Sequence, residues 1–113
     1  MVAADGTAFV LREGVNTLGR SHHCDIVVAG RIVLERRLVS GLHAHIVCTR
    51  GECRIFDGIP DGKASLNGTF VAGRLVPKGG RVLQDGDPII LAALDPRFPK
   101  PDTPGVATFT FRR

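Results

Sequence analysis

The chain is predicted to form one all-β domain, a two-sheet antiparallel sandwich. Three observations lead there. Fourteen glycines and seven prolines in 113 residues break the chain so often that few stretches reach the length of a stable helix. The apolar runs between these breaks are short and regularly spaced, and several alternate in polarity with the two-residue period of a strand.

Taken in order, strands are expected at 8–12, 16–19, 25–28, 43–49, 53–57, 69–71, 74–76, 81–83, 88–92 and 106–111. The alternation is clearest in 43–49, where Ala44, Ile46 and Cys48 share one face, and in 106–111, where Val106, Thr108 and Thr110 oppose Ala107, Phe109 and Phe111. Two facing sheets would bury such half-apolar strands. The stretch 31–39 mixes Ile32, Leu34, Leu38 and Val39 with Arg31, Glu35, Arg36 and Arg37, and is read as a loop or a single helical turn. Four prolines, at 96, 99, 101 and 104, make 95–104 an exposed connection.

A hydrophobic fraction of 43% is enough to bury a core without disulfides. Cys24, Cys48 and Cys53 are odd in number and lack paired spacing, and the first residues carry neither a charged leader nor an apolar core segment. The expectation is a reduced, intracellular domain, nuclear or cytoplasmic. No apolar run approaches the roughly 18 residues of a membrane helix; the longest, 88–94, is strand-sized. Fifteen basic against eleven acidic residues give a net charge of +4, which favours acidic partners without naming one. Strands so near both ends fit a single domain over 1–113, of the kind excised from a larger protein.

Three polar patches fall where apolar runs stop: Gly19-Arg20-Ser21, Ser40-Gly41-Leu42-His43 and Ser65-Leu66-Asn67-Gly68-Thr69. Gly19 lets the backbone bend so that Arg20 projects from a turn. Ser40 with Gly41 opens a turn whose N–H groups, beside the serine hydroxyl, form an anion-binding concavity. His43 can bond across neighbouring loops, and Asn67-Gly68 is a turn dipeptide whose amide both donates and accepts. An arginine, a hydroxyl and an amide gathered at strand ends offer one anionic group a fixed set of donors.

In this order the patches resemble the forkhead-associated (FHA) domain, a phosphothreonine-binding β-sandwich with its ligand loops at one end. The matching residues are Gly19-Arg20, Ser40-x-x-His43-Ala44-x-Ile46, Ser65 to Gly73, and Leu83-x-Asp85-Gly86-Asp87-x-Ile89, spread over about 19–111. The resemblance implies that Arg20, Ser40 and Gly41 contact the phosphate and that Asn67 holds the peptide main chain. Gly19, His43, Ser65, Gly68 and Thr69 would then structure the loops. It further implies recruitment of phosphorylated partners in kinase-dependent signalling, with no catalysis and no cofactor.

The chain departs from that pattern at two places. Gly41 stands where many relatives carry Arg or Lys, and Leu66 where a Ser or Thr often reaches the phosphate. Two long loops, 29–39 and 58–64, carry Arg31, Arg36, Arg37 and Lys63; Arg36, Arg37 and Lys63 are candidates to replace the absent cation.

Other functions fit the sequence less well. Seven His and Cys residues between His22 and Cys53 are competent metal ligands, and His43 and His45 share a strand face, but no metal-binding spacing appears, so no metal is expected. No nucleophile elbow or activated cysteine is present, so the chain is not expected to be an enzyme. A nucleic-acid partner is not expected either, because no Trp or Tyr offers a stacking platform. The alternative that survives is a scaffold of the same fold that binds proteins without phosphate.

Overall fold

The computed structural model describes residues 1–28, 32–33 and 36–112, the backbone alone at 32–33 and 36–37. Twelve strands are present among them: β1 (Val2–Ala3), β2 (Gly14–Gly19), β3 (Ile26–Val27), β4 (Ile32–Val33), β5 (Arg36–Arg37), β6 (Ala44–Thr49), β7 (Glu52–Asp57), β8 (Thr69–Val71), β9 (Arg74–Leu75), β10 (Arg81–Val82), β11 (Pro88–Leu91) and β12 (Ala107–Thr110). One sheet runs β1-β12-β11-β8-β9, the other β10-β7-β6-β2-β3, and β4-β5 is a separate hairpin. No helix occurs among the described residues, and none is long and apolar enough to cross a membrane. The two-sheet sandwich is borne out.

Alternation explains the core. Leu18, Ile46 and Ile55 from one sheet and Val71, Ile89, Leu91 and Phe109 from the other belong to one buried cluster. Burying each such side chain stabilises the fold by about 1.5–3 kcal/mol. The alternate residues Phe70 and Ile90 face outward into a smaller cluster with Ala93. The proline-rich segment carries no strand, and its Pro99 and Pro101 line a cavity beside Ile90.

The β6–β7 hairpin sets the register of the site-bearing sheet. Arg50 and Gly51 both take positive φ, 52° and 82°, the conformation of a two-residue turn whose twist matches its strands. That turn pairs Thr49 with Glu52 and therefore Cys48 with Cys53, whose Cα atoms lie 4.1 Å apart. The two form a disulfide, so the expectation of three reduced cysteines is corrected; only Cys24, buried, is a free thiol. Their pairing follows from hairpin register, which the count of three conceals.

Three other local readings change. The stretch 8–12 is not a strand: only Ala8 bridges, to Val2. Instead the buried Asn16 side chain accepts from the Arg12 N–H and donates to the Arg12 carbonyl, both at 2.9 Å, occupying groups that a ladder would need. The loop or helical turn expected at 31–39 contains the β4–β5 hairpin. All strand pairs are antiparallel except β2–β3. Between them the chain doubles back, and the Asp25 carboxylate fastens the return by accepting from the Thr17 N–H (2.9 Å) and hydroxyl (3.1 Å).

Candidate functional site

The three polar patches meet at one end of the sandwich, where β2 ends and β6 begins. Gly19 is required by a close approach: a Cβ there would lie 2.1 Å from the Gly41 carbonyl oxygen. Across this contact the Arg20 N–H donates to the Ser40 carbonyl (3.2 Å) and the Ser21 N–H to that of Gly41 (3.0 Å). The first two patches are therefore stitched together by backbone.

Arg20 is half-buried, and its Nε donates to the Val39 carbonyl. That bond anchors the guanidinium, whose terminal nitrogens have no partner among the described residues. Ser40 Oγ accepts from the Leu66 N–H at 3.2 Å, so its own proton remains for another acceptor. Asn67 Nδ2 donates to the Leu38 carbonyl at 2.8 Å, which leaves Oδ1 and one amide proton for other contacts.

His43 ties the second patch to the third. Its Nδ1 must accept from the Ser40 N–H (2.9 Å), so the ring proton sits on Nε2 and donates to the Gly68 carbonyl (2.6 Å). Both ring nitrogens are thus engaged. His45 Nδ1 donates to the Gly58 carbonyl at 2.7 Å while its ring stacks on Phe56. The two histidines therefore hold separate loops.

His43 is 0% exposed. Burial pushes its pKa below the ordinary 6.5, against the Gly68 carbonyl and the nearby Asp57 charge, which pull it up. The unfolded chain consequently binds more protons below pH 6.5, so the stability this group contributes is full above 6.5 and is lost as pH falls towards the depressed folded value. Thermal melts of the peptide-free domain should show a drop in Tm below about pH 6.5. His43→Asn should have a flatter profile there; identical slopes would exclude His43 as the source.

Asp57, at the end of β7, is the residue that sequence reasoning missed. Its Oδ1 accepts from the hydroxyls of Ser65 (2.6 Å) and Thr69 (2.7 Å), and its Oδ2 from the Ser65 N–H (3.1 Å). Ser65 Oγ in turn accepts from the Gly68 N–H at 2.9 Å. The third patch is built around this carboxylate. The available signal was chemical: two hydroxyls in one tight loop need an acceptor, and Asp57 is the acid closing the preceding strand.

These ties enclose a cavity of about 310 Å³. Arg20, Ser40, Gly41 and Lys63 supply its polar lining, and Leu42, Ile59, Ala64 and Leu66 the apolar remainder. Lys63 is placed by the 58–64 loop, which closes through the Ile59 N–H on the Lys63 carbonyl at 3.1 Å. Asn67 is not among the lining residues but follows Leu66 directly. The backbone of Arg36 and Arg37 forms β5, while their side chains, and Arg31 altogether, lie outside the described residues.

The family profile described as "FHA domain" matches residues 16–92. The chain belongs to the FHA domain family. Among solved structures, this FHA domain resembles that of FhaA, solved with the intracellular domain of Rv3910, at 23% identity and a TM-score of 0.68, covering 97% of this chain and 96% of that one. It resembles Mycobacterium tuberculosis EmbR, solved with a low-affinity phosphopeptide, at 27% identity and 0.68, covering 98% of this chain but 23% of EmbR. The N-terminal FHA domain of S. cerevisiae Rad53p, solved with a phosphothreonine peptide, is 19% identical with a TM-score of 0.66, covering 96% of this chain and 87% of that one. No curated protein matches significantly.

Proposed function

We propose that this FHA domain binds phosphothreonine peptides of partner proteins and recruits those partners in kinase-dependent signalling. One observation carries the reading: the Arg20 guanidinium, with its terminal nitrogens unpartnered among the described residues, lines the same cavity as Ser40, whose proton is still available. A phosphate with about −1.5 to −2 charges takes charge-assisted bonds from such donors that an unmodified threonine cannot. The phosphopeptide complexes of EmbR and Rad53p support the same choice of ligand.

In this reading Arg20, Ser40 and the Gly41 backbone hold the phosphate, and Asn67 holds the peptide main chain. Lys63 supplies the cation that Gly41 lacks. The module performs no catalysis, needs no cofactor, and acts inside the cell.

The test is fluorescence anisotropy with oriented phosphothreonine peptide libraries and their unphosphorylated counterparts. Binding confined to the phosphorylated pools is expected; equal binding of both would replace the reading with a phosphate-independent scaffold. Lys63→Ala should weaken phosphopeptide binding by up to about fivefold, as expected of an exposed cation worth about 1 kcal/mol or less, and less so in high salt. Unchanged affinity would make Lys63 a solvated loop charge.

A further inference from the structure

We propose that the outer face of the β6–β7 sheet carries a second binding site, a groove that takes a tyrosine or tryptophan side chain of a partner protein, flanked there by acidic residues. It is separate from the phosphate cavity and needs no phosphate.

Ile46 and Ile55 point into the core, so His45, Val47 and Phe56, which alternate with them along β6 and β7, lie on the opposite face. These three line a cavity of about 750 Å³ together with Pro60 of the 58–64 loop and with Pro77 and Lys78 of the β9–β10 connection. The 58–64 loop divides it from the phosphate cavity, since Ile59 and Ala64 line both. Its aromatic floor is fixed in place. The Phe56 ring stacks on His45 with centroids 4.9 Å apart, and it lies so close to the Gly80 backbone that a Cβ there would meet the ring at 2.6 Å.

One polar atom in this groove is unspent. His45 is 6% exposed and its Nδ1 donates to the Gly58 carbonyl, so Nε2 keeps a lone pair, for which no partner exists among the described residues. No fully enclosed side-chain nitrogen or oxygen lacks a partner among those residues, so Nε2 is open to the groove that its ring lines. An acceptor set among apolar side chains calls for a ligand with an apolar body and one donor at its tip, which describes Tyr and Trp.

The surroundings narrow the occupant further. A second copy of this chain cannot supply the group, because it contains neither Tyr nor Trp. The turns beside the groove use their own backbone, Gly62 N–H on the Ile59 carbonyl (3.0 Å) and Gly80 N–H on the Pro77 carbonyl (2.8 Å), which favours an inserted side chain over an added strand. Lys78 is exposed and forms no ion pair among the described residues, and Arg54, on the same face of β7 as Phe56, spends one guanidinium N–H on the Gly79 carbonyl. Asp57 also lines the groove, but its carboxylate already accepts from Ser65 and Thr69. Acidic residues beside the aromatic one complement this basic rim.

The test is an NMR titration of the 15N-labelled domain with unphosphorylated Gly-Ser peptides carrying a central Glu-Tyr-Glu, Glu-Trp-Glu, Glu-Phe-Glu or Lys-Tyr-Lys. The Tyr and Trp peptides should bind at least about fivefold more tightly than the Phe peptide of equal charge, or about 1 kcal/mol, and should shift the His45 Nε2 resonance. Lys-Tyr-Lys should bind more weakly than Glu-Tyr-Glu, and Lys78→Glu, at an exposed side chain, should narrow that difference. Arg20→Ala should leave all of these affinities unchanged. His45→Asn keeps an amide donor for Gly58 but lacks Nε2, and should erase the preference for Tyr over Phe; if this variant melts far below the wild type, the His45 resonance of the wild type decides. Equal binding of the Tyr and Phe peptides, no binding of any, or an unmoved His45 signal would overturn the proposal. Loss of Tyr-peptide binding in Arg20→Ala would place the peptide in the phosphate cavity and overturn it too. The probes carry no phosphate, so each of these failures leaves the phosphothreonine reading standing.

Discussion

Arg20→Ala is expected to weaken phosphothreonine-peptide binding about tenfold to a hundredfold, the loss of one charge-assisted contact worth about 1.5–3 kcal/mol. The guanidinium is anchored at Nε by the Val39 carbonyl, so its remaining nitrogens are oriented before the ligand arrives. Arg20→Lys keeps the charge but loses the planar fork and the anchor, and should fall between the wild type and Arg20→Ala. The backbone bonds from Arg20 to Ser40 and from Ser21 to Gly41 do not use the side chain, so melting temperature should move far less than affinity. Anisotropy with paired phosphorylated and unphosphorylated peptides is the decisive measurement. An equal proportional loss for both forms would mean that Arg20 shapes the loops rather than contacting phosphate.

Much of this arrangement is legible before the fold is known, because glycines and polar residues mark strand ends. Gly19, Gly41 and Gly68 punctuate the chain where the loops form, and the alternation of Ala44, Ile46 and Cys48 identifies the inward face of β6. What stays hidden is whatever depends on which strand lies beside which. Cys48 and Cys53 become partners only through the register of the Arg50–Gly51 turn. Asn16 replaces a ladder at Arg12 by side-chain bonds, which apolar periodicity does not register. Asp57 looks in sequence like any acid closing a strand. Its role appears only when Ser65 and Thr69, 8 and 12 residues later, fold back over it.

In the proposed function the phosphate donors and the loop supports are separable. Arg20 and Ser40 each spend one bond within the fold and keep further donors free, whereas His43 and Asp57 spend theirs on the loops. Substitutions in the first pair should act on affinity more than on stability, and those in the second should lower both together. Leu66 belongs to neither pair, since its backbone supports Ser40 while its side chain remains exposed.

Asp57→Ala should therefore destabilise the domain by at least about 3 kcal/mol, since three hydrogen bonds to a charged acceptor disappear together and each is worth about 1.5–3 kcal/mol when intact. Thr69 is 0% exposed, so water cannot readily replace its lost acceptor. Asp57→Asn is the informative companion: an amide can keep Oδ1 as acceptor for both hydroxyls while setting a donor against the Ser65 N–H, and so should lose only part of that stability. Denaturant melts should rank wild type above Asn above Ala, and phosphopeptide affinity should follow the same order because Ser65 and Asn67 lose their common frame. A loss below about 1 kcal/mol in Asp57→Ala would mean that the third patch holds its shape without this carboxylate. The Asn variant carries a second signature. Asp57 raises the pKa of His43 through its charge, so neutralising it should depress that pKa further. The acid loss of stability due to His43 would then extend to lower pH than in the wild type, a shift that loosened packing alone would not produce.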